Sequence, residues 1–329
     1  MMNRTELDSV PAAVHPPQFT HSYVDAMHQV LSANDWFTLP KYMLSGMTAF
    51  CFRLSVHRQL HRDSPTAYNW MAEHTVAADL IGIVSTQAAG FHFAPTFPLY
   101  QKQAILEIRK SLEQGTPVIC WKDQFVVITR FDDHKQVFYY NEISSRAELE
   151  LPYDQLGRNE SPYWHCQIFE GQIRKDLRQV LRESFLQAVY KAEVHDPMLP
   201  ESQYACGLQA YDAMLDALSR NTCDVTGAYE TLVFYAASKQ DTSCYTRDAC
   251  KYWPELEPTA SHYEHLSAVY VEIAARLSQN PVHSTIYRRP KELLDLIREA
   301  KQSEAEAIQS IRLLLREPIE NRFHDVGLR

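Results

Sequence analysis

The sequence predicts an α+β fold, with an antiparallel-sheet domain over residues 19–171 followed by an all-α region over residues 172–329. Two observations predict it. Between Gln114 and Glu142, three β-rich runs, Thr116–Trp121, Phe125–Phe131 and Gln136–Tyr140, are separated only by the short charged breaks Lys122–Gln124 and Asp132–Lys135. That is the pattern of an antiparallel meander. After Gly171 the alternating β pattern gives way to helical periodicity for the remainder of the chain.

Residues 1–18 carry Pro11, Pro16 and Pro17 with little periodic hydrophobicity and read as an extended arm. From Ser22 to Leu31 the spacing of Tyr23, Ala26, Met27, Val30 and Leu31 is helical, with Ser22 placed to cap it. Leu44–Val56 is apolar with one internal glycine and fits either a buried helix or a strand, helix being the preferred reading. Ser64-Pro65-Thr66 introduces a helix over Ala67–Leu80, since proline suits a first helical turn and Ser or Thr a cap. Strand Ile83–Ala88 and helix Leu99–Leu112 lead into the meander, and Gly115 closes that helix where a left-handed residue is cheapest. Strands Glu148–Leu151 and Trp164–Phe169 extend the sheet. The helical region divides into Ile173–Lys191, Tyr204–Ser219, Val225–Ser238, His262–Leu277 and Lys291–Leu315. Breakers fall between them at Pro197/Pro200, Asn221–Asp224, Pro254/Pro258 and Pro281/Pro290.

A formal charge of −9 argues against a nucleic-acid or anionic-membrane partner, because both need a basic face to replace counterions. Small molecules and proteins remain. The seven cysteines stand singly, without a CxxC pair, which fits reduced thiols in a cytoplasm. The first residues lack the basic and apolar regions of a signal peptide, and no run approaches the roughly 20 apolar residues of a membrane span. The expectation is a soluble cytoplasmic protein. There is no phosphate loop, dinucleotide fingerprint or GxSxG elbow, so no cofactor is expected.

The segments GMTAFCFRLSV, SPTAYNW, TFPLYQKQAILEIRKSLEQGTPVICW, FVVITRFDDHKQVFYY and YDQLGRNESPYWHCQIF, in this order, carry a resemblance. Together they resemble a family of bacterial proteins related to the N-terminal domain of the butirosin biosynthesis H protein and to C39-like peptidases. The resemblance covers roughly residues 20–170, and YACGLQAYDAML looks like the family's helical C-terminal part. It implies a papain-like cysteine-peptidase-type fold, with a cysteine at the start of the first core helix and a histidine and an acid or amide on the sheet. In the butirosin protein that scaffold is associated with moving an acyl group from a carrier-protein thioester to an amine. Such chemistry needs a thiolate and a neighbouring imidazole to generate it.

Carried onto this chain, the pattern is degenerate. Met27 or a neighbour stands at the nucleophile position, Gln124 at the histidine position and Asn141 at the orienting amide. A thioether cannot attack and leave, and a glutamine accepts no proton near neutral pH. Either peptidase-type catalysis is lost in this chain or its catalytic groups have moved. Cys206, before Gly207, is a candidate nucleophile at a helix N-terminus, where the dipole lowers a thiol pKa. Asp25 and His28, with His21, form a candidate acid/base pair facing Gln124. Arg53, inside FCFRL, needs a carboxylate, either an internal one or a substrate's. Trp121 and Tyr139, with Met27, are expected to line the slot. Cys51 and Cys120 read as core. His57/His61 and His262/His265 are helix-spaced but lack a third ligand, so no metal is expected.

The expected function is acyl or aminoacyl transfer, or amide chemistry, in the biosynthesis of a small molecule or peptide-derived metabolite. Its substrate would be aminoacyl, peptidyl or amine-bearing, with a carrier protein as a candidate partner. The alternative is a catalytically inactive protein that holds a peptide or small molecule in the same cleft.

Overall fold

The computed structural model describes residues 22–141, 148–279 and 290–315; the N-terminal arm and His21 lie outside them. Six strands form one antiparallel sheet: β2 (Ile83–Phe91), β3 (Val118–Trp121), β4 (Phe125–Asp132), β5 (Val137–Asn141), β6 (Glu148–Pro152) and β7 (Tyr163–Gln172). Their order is β2-β7-β3-β4-β5-β6. The meander β3–β4–β5–β6 follows the chain, and β7 returns to pair with β3 on one side and β2 on the other.

Both faces of the central strands are buried, which is why they read as unbroken apolar runs rather than alternating ones. Ile119, Trp121, Phe125 and Val127 point to helix α1 (Ser22–Ala33), whose Tyr23, Val24, Ala26, Met27, Val30 and Leu31 are all buried. Val118, Cys120, Val126 and Ile128 point the other way, to Phe97, Ala104 and Ile108 of helix α4 (Phe97–Glu113). Each fully buried side chain of this size contributes about 1.5–3 kcal/mol. Successive residues of β7 divide likewise: Trp164 and Cys166 join the α4 side, while Phe169 joins the α1 side.

The remaining helices are α2 (Lys41–Met47), α3 (Trp70–Leu80), α5 (Leu177–Glu193), α6 (Leu208–Ser219), α7 (Val225–Ala249), α8 (Glu257–Gln279) and α9 (Pro290–Leu315). Asn69, Asp176 and Asp224 cap α3, α5 and α7 by accepting from Ala72, Gln179 and Gly227 N–H. Among the described residues, no helix is long and apolar enough to cross a membrane.

The α+β class and the helical C-terminal region match the expectation, while three local expectations are corrected. The Leu44–Val56 run is not one helix: Ala49, at φ 60°, ends α2, and the chain passes through a 3-10 turn at Phe50–Phe52 into strand β1 (Ser55–His57). Ser64–Thr66 is a separate 3-10 turn, so α3 begins only at Trp70. Tyr204–Cys206 is strand β8, which pairs antiparallel with β1. Gly207 then turns the chain into α6 at φ 57°, where a Cβ would sit 2.2 Å from the Ala192 carbonyl oxygen.

The β1–β8 ribbon joins what the sequence separates at Gly171. One continuous core takes in α1, α2, β1 and one face of the sheet together with buried residues of α5 to α9.

Candidate functional site

Between α3 and β2 on one side and α5 and β8 on the other lies a cleft of about 960 Å³. Its polar lining includes Arg53, Tyr68, Glu73, Lys191, Asp196 and Cys206, against apolar walls such as Ile83, Val180 and Val194.

Arg53 follows the 3-10 turn and is 5% exposed. Its two terminal nitrogens donate to Ser55 Oγ at 2.7 Å and to the Pro65 carbonyl at 2.6 Å, and its guanidinium lies 4.1 Å over the Tyr68 ring. Among the described residues the Nε–H has no hydrogen-bond partner. No described carboxylate pairs with this cation.

Tyr68 leads into a buried polar chain. Its hydroxyl meets His74 Nε2 at 3.1 Å, His74 Nδ1 meets His165 Nε2 at 3.3 Å, and His165 Nε2 meets Gln87 Oε1 at 2.9 Å. The Gln87 amide nitrogen donates to Thr75 Oγ1 and the Met71 carbonyl, which leaves its oxygen to accept from His165. His165 therefore carries its proton on Nε2, and its Nδ1 is the buried atom without a partner. The His165 Nε2–H thus faces both the Gln87 oxygen and His74 Nδ1, while His74 Nε2 meets the Tyr68 hydroxyl. Burial holds both imidazoles neutral, His74 well below the usual histidine range and His165 down to about 3. Tyr23 stacks on His74 at 3.5 Å and donates to Gln167 Oε1 at 2.8 Å.

Lys191 forms an ion pair with Glu73. Burial pulls the ammonium below its usual range, against the attraction of Glu73, and the Arg53 charge lowers it further. Asp196 accepts from the Asn69 and Met198 backbone N–H groups. Cys206 is buried at the end of β8, opposite Ser55.

Of the residues expected from sequence, the cleft brings together Arg53 and Cys206. For Cys206 the expected effect is reversed, because burial raises the thiol despite the helix that begins just past Gly207. The others lie elsewhere. Met27 is 1% exposed inside the α1 core, so it is packing rather than substrate contact. Where α1 meets the head of β4, the group present is Ser22, whose Oγ accepts from Phe125 N–H at 3.3 Å. Gln124 lies half-buried in the β3–β4 turn, its carbonyl accepting from Lys122 N–H. Asn141 ends β5 opposite Val127.

Asp25 pairs with Lys41 at 2.8 Å, and His28 Nε2 meets the Leu39 carbonyl at 3.0 Å. Both thus tie α1 to the segment around α2 instead of forming a pair at Gln124. Trp121 donates to Ser161 Oγ and packs on Trp70, and Tyr139 lies under the Arg130 guanidinium; neither lines the cleft.

Sequence reasoning missed Tyr68, Glu73, His74, His165 and Lys191. A signal existed for two of them. Lys191 falls in register with Leu181, Ser184 and Ala188 on the buried stripe of α5, and His74 with Ala77 and Ala78 on that of α3.

Among the described residues no group of His, Cys, Asp or Glu has metal-binding geometry. No protein-family model matches the chain, and no curated protein matches it.

Proposed function

We propose that this chain is a papain-like scaffold, of the C39-like and butirosin H-like kind, that binds a small carboxylate-bearing metabolite in the α3–α5 cleft. Aminoacyl and peptidyl compounds of cytoplasmic metabolite biosynthesis are the ligand class. Arg53 carries the reading. A guanidinium this buried is costly to desolvate, and among the described residues its Nε–H has no acceptor and its charge no carboxylate. A ligand carboxylate in the cleft supplies the missing charge partner. The test is a thermal-shift and calorimetric screen of amino acids, N-acyl amino acids and dipeptides against their carboxamides. Carboxylates should stabilise the chain by about 2.7 kcal/mol at a hundred times Kd. Arg53→Met should remove that gain. Equal binding of carboxamides, or full binding by the variant, would overturn the reading.

Acyl transfer from a carrier-protein thioester is the second reading, and the presence of Cys206 in the same cleft favours it. It ranks second because burial keeps the thiol protonated, and the thiol form is a poor nucleophile. Acylation of the chain by a thioester, abolished by Cys206→Ala, would reverse the ranking.

A further inference from the structure

Lys191 is the second buried cation of the cleft, placed on a stripe of α5 that it shares with Leu181, Ser184, Phe185, Ala188 and Ala192. Its side chain is 6% exposed, while that of its partner Glu73 is 22% exposed. An apolar residue of similar volume would pack this position at least as well, since buried ion pairs seldom add net stability. What a lysine adds is an amine that burial and the neighbouring Arg53 both push towards its neutral, nucleophilic form. A carboxylate able to take the proton stands in direct contact with it.

We propose that Lys191 is an imine-forming lysine and that the cleft takes a 2-oxo acid, its carboxylate on Arg53 and its carbonyl carbon at Lys191 Nζ. This rests on reading Arg53 as the carboxylate anchor. Glu73 first accepts a proton from the ammonium. The freed lone pair forms the C–N bond while the carbonyl π pair moves to oxygen, and a proton shift from nitrogen to oxygen gives the carbinolamine. Glu73 returns its proton to that hydroxyl, which leaves as water, and the nitrogen lone pair completes the iminium. The net change is ammonium plus ketone to iminium plus water, with no oxidant or reductant. An iminium acidifies the adjacent carbon, so the activity that follows is carbon–carbon or proton-transfer chemistry at C3 of the 2-oxo acid.

The experiment is reductive trapping. The full chain is incubated with pyruvate or 2-oxobutyrate and treated with borohydride, which delivers hydride to the imine carbon and leaves a stable secondary amine. Peptide mapping should find the adduct on Lys191 in preference to the surface lysines. Arg53→Met should lower its yield by about tenfold or more. Carboxylate-dependent binding of pyruvate without an adduct on Lys191 would overturn the imine and leave the Arg53 reading intact. Loss of both binding and adduct would overturn both. An adduct spread evenly over the lysines, or one insensitive to Arg53→Met, would also overturn the proposal. Mapping on the unaltered chain keeps the test independent of whether any Lys191 variant folds.

Discussion

Lys239 and Glu304 are 0% and 3% exposed, and each finds its charge partner in the other, at 2.5 Å. The second carboxylate oxygen of Glu304 accepts from Tyr211, whose hydroxyl in turn takes a bond from Tyr270. The helical core thus closes its own charges, which Arg53 does not. This contrast makes a prediction at the residue scale. Glu304→Ala strands an uncompensated ammonium and should cost about 3–5 kcal/mol by urea unfolding, most of it restored by adding Lys239→Met. A loss below about 1 kcal/mol would show that water reaches the pair. The same logic explains what could be read of the site beforehand. Arg53 was visible because a guanidinium amid FCFRL has to be answered by something. The polar chain through Tyr68, His74 and His165 was not visible, because His165 stands 91 residues beyond His74 and only the fold brings β7 to α3.

At the scale of the element, α2 and α7 pack unusually closely. A Cβ added to Gly46 would fall 2.0 Å from the Tyr245 ring, which is itself buried and bonded to Ser184. Gly46→Ala must displace that ring and should destabilise the chain by about 1–3 kcal/mol. Tyr245→Leu in the same chain should recover part of that loss; a thermal melt unchanged by Gly46→Ala would contradict the packing. Elements with a strong local signature were legible. The meander, α1 and α4 fall where period and turn residues place them. Segments near residues 49 and 204 were misread because tertiary pairing decides them: three residues of β8 look like the first turn of α6 until β1 is laid beside them. The break at Gly171 marks a change of period, whereas the core continues across it.

For the molecule as a whole, acidification should be destabilising. Between pH 6.5 and about 3, the unfolded chain binds a proton at His165 that the folded chain refuses, and His74, held well below the usual histidine range by burial, acts in the same direction. Stability is therefore complete above pH 6.5 and is lost as the pH falls, by up to about 1.4 kcal/mol per unit for each histidine. Asp241 opposes this. Burial raises its carboxyl from 3.8 to about 6, so the folded state holds a proton there that the unfolded state has lost. Two histidines outweigh one carboxyl, and the urea midpoint should be lower at pH 5 than at pH 7.5. His165→Gln should shrink that difference; equal midpoints in the unaltered chain would mean that the imidazoles titrate freely.

The β1–β8 ribbon also sets a timetable for synthesis. His57 pairs with Tyr204, so the first half of the ribbon emerges from the ribosome roughly 150 residues before its partner, a wait of about 7–30 s at ordinary elongation rates. During that interval Phe52 also lacks the Tyr245 and Tyr263 rings it packs against, because α7 and α8 follow β8 in the chain. The nascent chain at that stage is a natural client for a chaperone, and it is then that aggregation competes most directly with folding.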